Sequence, residues 1–145
     1  QRVAYIAENP SQMMLFQDMS YLRNLTFCLP RQIDSWFRRR SIYRSLRREL
    51  TPELGAVFDK DIRDLNAQEK YALIFRRVLL QQPRVVFFEQ PFWGNDVLLQ
   101  QHIERQVQLL LAKKIAVVVL IVGIYDAFPL AERTLIYKNG HLLTQ

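Results

Sequence analysis

The chain has 145 residues, half of them apolar, which is the size of one ordinary domain with material for a core and excludes a disordered tail. Its longest apolar run, Ile115 to Val122, is far shorter than the ~20 residues a membrane-spanning helix needs, so no crossing is expected. The single cysteine, Cys28, excludes an internal disulfide and a cysteine cluster around a metal, and the net charge of +6 comes largely from arginines crowded between residues 31 and 48.

The elements follow in chain order. Arg2 to Ala7 reads as a strand with no targeting leader before it, as expected of a fragment or of a protein lacking its front part. Glu8-Asn9-Pro10-Ser11 reads as the loop that ends this strand. Ser20 is the expected N-cap of a helix through Tyr21, Leu22, Leu25 and Leu29, closed by Pro30. Arg31, Arg38, Arg39, Arg40, Arg44, Arg47 and Arg48 interleave with Trp36, Phe37, Ile42, Tyr43, Leu46 and Leu50, the pattern of an amphipathic helix whose solvated face is arginine-rich. Thr51-Pro52-Glu53 then carries the cap, proline and acid of a further helix start.

Asn66-Ala67-Gln68-Glu69 predicts a capping box that opens a long helix to about Gln82, which Pro83 stops. Arg84 to Phe88 predicts a strand, and Asn95 or Asp96 caps a helix continuing to about Ala112. The continuous run from Ile115 to Val122 predicts a strand buried on both faces, as in a parallel sheet. A short helix is expected near Asp126 to Glu132. Thr134 to Tyr137 and His141 to Leu143 flank Lys138-Asn139-Gly140, whose Asn-Gly predicts a hairpin turn. His102 and His141 are both expected on the surface.

The order and spacing of these segments resemble the second half of the ATPase domain of ATP-binding cassette (ABC) transporters. Leu65-Asn66-Ala67-Gln68-Glu69-Lys70 stands where that family has its Leu-Ser-Gly-Gly-Gln signature, and Arg77 to Pro83 is similar to the helix that follows it. Val85 to Phe88 with Glu89-Gln90-Pro91 resembles Walker B, Asn95-Asp96 the loop after it, and Val3 to Pro10 the strand and Q-loop, with Glu8 in place of glutamine. The resemblance implies an α/β fold: a P-loop NTPase-like ABC ATPase core with a partial parallel sheet and an α-helical subdomain. Residues 1–19 would form the Q-loop-like strand and loop, 20–82 the helical subdomain with the signature-like helix, and 83–145 the C-terminal half of the core.

The departures from the pattern weigh as much as the matches. There is no Gly-x-x-x-x-Gly-Lys-Ser/Thr, and the chain holds only four glycines, so the loop whose backbone amides cradle phosphates is missing from it. Gln90 occupies the catalytic-glutamate position, and a carboxamide takes no proton from water. The family's switch histidine should fall around Val122-Gly123-Ile124, where there is none. By the resemblance, Glu8, Asn66, Ala67, Gln68, Glu69 and Asp96 stand at nucleotide-contacting positions and Glu89 at the magnesium position.

The expected function is a degenerate, non-hydrolysing subunit of an ABC transporter, structural or regulatory, at the cytoplasmic face of a membrane. Its expected partners are a transmembrane subunit, which would dock on Met13, Met14, Phe16 and Tyr21, and a second, different ATPase domain. ATP and Mg2+ would then sit in a composite site with that partner, the chain holding neither alone. An alternative is a fragment of an active ABC ATPase whose Walker A motif lies upstream. A weaker alternative is a nucleic-acid-associated ABC-type protein using the arginine stripe, although nucleic acid is not the expected partner.

Overall fold

A computed structural model describes residues 3–27, 36–123 and 129–144, with side chains described for 3–27, 40–123 and 129–143. Cys28, Pro30, Arg31 and the side chains of Trp36 to Arg39 lie outside the described residues, as do residues 126–128 of the short helix expected near Asp126 to Glu132; its other residues, 129–132, are described and form turn and bend, not helix.

Three parallel strands form the sheet: β1 (Val3–Ile6), β2 (Val85–Glu89) and β3 (Ala116–Leu120), in spatial order β1-β2-β3. Register is set row by row, with Val3, Val85 and Ala116 in one row and Tyr5, Phe87 and Val118 two residues on. Parallel neighbours require crossovers, and each crossover here carries a helix. Between β1 and β2 run α1 (Pro10–Met13), α2 (Tyr21–Thr26), α3 (Trp36–Leu54), two short 3-10 turns and α4 (Ala67–Leu80), whereas α5 (Val97–Ala112) alone links β2 to β3. The chain is a mixed α/β fold consistent with a P-loop NTPase-like ABC core.

The core lies on one face of the sheet. Ile6, Val86 and Phe88 are fully buried against α4 and α5, where Phe75, Ile103 and Leu110 also lose all exposure. Phe75 meets Phe88 edge to face with ring centroids 5.7 Å apart. Burial of such a side chain is worth about 1.5–3 kcal/mol, so this cluster dominates the stability of the layer. On the helical side, Tyr21 packs edge to face on Phe58 at 5.5 Å, and its hydroxyl accepts from Arg76 at 3.3 Å. Asn24, also fully buried, is satisfied at both ends: its Oδ1 accepts from the amide of Phe16 at 2.8 Å, and its Nδ2 donates to the carbonyls of Phe16, Met19 and Ser20.

Several expectations shift for local physical reasons. Pro10 opens α1 at its first helical position, where the missing N–H costs nothing, so the stretch expected to be only a loop holds one helical turn. Pro52 starts no new helix but sits in the last turn of α3, where it removes a single helical bond before the helix ends at Leu54. The Ser20 cap is present, accepting from the amide of Arg23 at 3.4 Å, but α2 ends at Thr26 instead of Leu29. β3 is not buried on both faces: Val118 and Leu120 keep 39% and 45% exposure. The hairpin forms as expected, β4 (Leu135–Lys138) against β5 (His141–Thr144), with Asn139 and Gly140 at φ +50° and +82° in the positive-φ pair that such a turn demands.

Candidate functional site

The carboxyl ends of β1, β2 and β3 lie along one edge of the sheet, because the strands are parallel. That edge is where open α/β sheets present ligand-binding groups. Glu8 follows β1 there, Glu89 ends β2, Gln90 comes next, and Val122 follows β3. Asp96 and Asn66 cap α5 and α4, the helices of the two crossovers.

Glu89 does not point freely into solvent. Its Oε2 accepts a hydrogen bond from the hydroxyl of Tyr5 on the neighbouring strand. That bond holds the Tyr5 hydroxyl above the usual tyrosine range, and desolvation and then the negative charges of Glu89 and Glu8 push the same way. Glu8 therefore lies close enough to share the local field, although its own side chain is exposed. Tyr5 is a site residue that the motif pattern misses; the register of β1 on β2, which pairs it with Phe87, puts it on the same sheet face as Glu89.

Gln90 is held in a left-handed backbone conformation at φ +44°, which a residue with a long side chain adopts at a cost of about 1–2 kcal/mol. Its amide donates to the carbonyl of Leu120 at 2.8 Å, and its own carbonyl accepts from Trp93 at 3.1 Å. Its Oε1 accepts from the amide of Val122 at 3.4 Å. The position expected for the catalytic glutamate and the one expected for the switch histidine thus meet, joined by a carboxamide and a backbone N–H.

The signature-like segment is likewise closed on itself. Asn66 Oδ1 accepts from the amide of Glu69 and Glu69 Oε2 from the amide of Asn66, both at 2.9 Å, completing the capping box. Lys60 donates to Glu69 Oε1 at 2.8 Å, and this bond is the main reason the carboxyl is held below the usual range. Ala67 and Gln68 begin α4 with exposed side chains. Asp96, not Asn95, caps α5, accepting from Leu99 at 2.8 Å, while Asn95 donates to the Tyr71 hydroxyl at 3.2 Å and to the Pro91 carbonyl at 2.9 Å, pinning the loop to α4.

These groups do not by themselves fit a magnesium nucleotide. Magnesium takes several oxygen ligands, and Glu89, whose Oε2 accepts from Tyr5, is the one carboxylate at its expected position. No group of three or more His, Cys, Asp or Glu side chains gathers among the described residues, and the chain holds no glycine-rich phosphate loop. Gln90 offers a neutral carboxamide that orients water without deprotonating it.

Of the other expected positions, His141 is exposed, but His102 is half-buried against the helical layer, with its Nε2 buried and lacking a hydrogen-bond partner among the described residues. Of the four residues expected to dock a partner, Tyr21 is core and Met14 is half-buried with its Sδ accepting from the Ala7 amide, leaving Met13 and Phe16 exposed. Phe16 stacks at a tilt on the exposed Phe27, 4.3 Å between centroids.

No protein-family profile matches the chain. It is 27% identical over 142 residues to the lipopolysaccharide export system ATP-binding protein LptB of Acidithiobacillus ferridurans, a match that covers 98% of the chain. This likeness supports an ABC ATPase-related domain. The chain spans 57% of that relative's length. No helix among the described residues is long and apolar enough to cross a membrane.

Proposed function

We propose that the chain is a degenerate ATP-binding-cassette subunit of a transporter that does not hydrolyse ATP and serves a structural or regulatory role. The observation that carries this is the arrangement at the end of β2: a carboxylate engaged by Tyr5 beside a carboxamide that bonds the loop after β3. An enzyme that hydrolyses ATP needs donors and a water-orienting group free to meet developing charge. Here those positions are occupied by bonds internal to the fold.

In this reading Glu8, Asn66, Ala67, Gln68, Glu69 and Asp96 border a composite site in which a second, different ATPase domain brings the phosphate loop, ATP and its magnesium. Glu89 stands at the metal position and Gln90 at the silent catalytic position. A transmembrane subunit docks at the apolar patch of Met13, Phe16 and Phe27 on the helical side, since exposed methionine and aromatic side chains suit an amphipathic partner helix. The chain works at the cytoplasmic face of that membrane. The test is a double replacement, Glu89→Asp with Gln90→Glu: the proposal expects no ATP turnover from it, and restored turnover contradicts it.

A second reading is favoured by the 57% span of the relative, namely that residues 1–145 are part of an ATPase whose phosphate loop precedes them. It predicts that a reading frame extended upstream contains Gly-x-x-x-x-Gly-Lys-Ser/Thr, and that the extended protein binds ATP.

A further inference from the structure

One side of α3 is not used by the core. Ile42, Tyr43, Leu46, Leu50 and Leu54 are half-buried, and Leu50 and Leu54 pack on the core cluster. At 3.6 residues per turn, the exposed Arg40, Arg44, Arg47 and Arg48 fall together on the solvent side, in a stripe about 100° wide and about 12 Å long. Arg40, Arg44 and Arg48 are spaced by four and repel one another along the helix, a cost that an anion laid across them removes.

The fold supplies little countercharge to this stripe. Arg47 donates to both carboxylate oxygens of Asp59, at 2.8 and 3.1 Å, but the two side chains are 57% and 67% exposed, and such a pair is held weakly against competing anions. Arg44 and Arg48 pair with no acidic side chain among the described residues. The acids of the same helix are directed elsewhere. Glu53 accepts from Arg76 of α4, and Glu49 sits about 100° round the helix from Arg48.

We propose that the Arg40, Arg44, Arg47 and Arg48 face of α3 lies on the anionic headgroups of a membrane, with the guanidinium groups answering lipid phosphates. The layout of the charge favours lipid over nucleic acid. A flat bilayer meets one side of a helix, as this stripe requires, whereas the groove of a duplex walls a helix with phosphate on both sides and brings Glu49 against one wall. Between Arg40 and Arg48 no aromatic residue stands within the stripe to stack on unpaired bases. The inference rests on the reading that the chain works at a membrane.

The test is cosedimentation of the 145-residue chain with phosphatidylcholine vesicles, with and without phosphatidylglycerol. Binding is expected only with the anionic lipid and should fall steeply as salt rises from about 0.1 M to about 1 M. Arg44→Gln with Arg48→Gln removes two charges, each worth about fivefold in partitioning, so binding should weaken on the order of twentyfold. Arg44→Lys with Arg48→Lys should keep it, and neither pair should lower the melting temperature, because both positions are exposed. Lys113→Gln with Lys138→Gln removes the same charge from other exposed positions and should leave partitioning nearly unchanged. Binding that needs no anionic lipid, an equal loss from the two glutamine pairs, or capture of duplex DNA through Arg44 and Arg48 without binding to anionic vesicles overturns the proposal. Docking of a transmembrane subunit uses Met13, Phe16 and Phe27 and neither arginine, and ATP plays no part in these readouts, so their failure is distinct from failure of that reading.

Discussion

The hydroxyl of Tyr5 donates to the carboxylate of Glu89 across adjacent parallel strands, joining residues 84 positions apart in the chain. This bond places a neutral donor on the one acid at the end of β2 and decides what that acid is free to do. It also makes a direct prediction. The Tyr5 hydroxyl should titrate above the usual tyrosine value of about 10, and Glu89→Gln should bring it back down. Because the folded value is raised, the contribution to stability is fully present below pH about 10 and is lost as pH rises through the folded value. Ultraviolet titration of the tyrosinate in the native chain, compared with Glu89→Gln, checks this; Tyr21 and Tyr71, raised by burial, serve as internal references that the replacement should leave in place.

His102 sets the opposite pH limit. Burial, with the nearby positive charges of Arg105 and Arg76, holds its pKa below the usual value. A base with a depressed folded pKa is charged more readily when unfolded, so the unfolded state gains protons as pH falls below about 6.5. Stability is therefore expected to be full above pH about 6.5 and to decline below it. His102→Leu should flatten that part of the curve, as read by urea midpoints between pH 5 and 7.5. Equal acid sensitivity in both proteins contradicts the assignment.

Asn24 holds the turn between α1 and α2. Replacing it with Leu removes four bonds and leaves the part-buried Phe16 amide and Met19 carbonyl without their partner, whereas the Phe16 and Ser20 carbonyls keep the amides of Met19 and residue 24, at a cost of about 1–3 kcal/mol. Chemical denaturation should show the midpoint falling with an unchanged slope. A loss below about 0.5 kcal/mol indicates that water takes over the contacts.

The end of α5 offers a stabilising change. The Lys114 amide donates to Leu111 at 2.8 Å and Ile115 to Leu110 at 3.1 Å, while Lys114 sits at φ +58°. That is the pattern of a left-handed helix terminus that favours glycine. Lys114→Gly should raise stability by about 0.5–1 kcal/mol, read as a higher melting temperature.

What was legible in the sequence was local. The Asn66 and Glu69 capping box, the Ser20 cap and the Asn139-Gly140 turn each depend on residues within three positions of one another, and each forms with the expected partners. A partial parallel sheet was expected from the apolar runs and their place among the helices, and β1, β2 and β3 form one. What was not legible depended on distant partners. Tyr21 looked like a surface aromatic because Arg76 and Phe58, which enclose it, come 55 and 37 residues later. Tyr5 carried no motif, so its grip on Glu89 emerged only from the register of β1 on β2. Pro52 was ambiguous because the same residue opens a helix at its first position and is tolerated near its end.

The central claim is that the Glu89–Gln90 site of this chain no longer hydrolyses ATP. The most direct measurement is steady-state phosphate release by the purified 145-residue chain at saturating ATP and magnesium, beside Glu89→Gln. The account predicts release at the level of buffer for both proteins. Turnover by the unaltered chain that Glu89→Gln abolishes contradicts it.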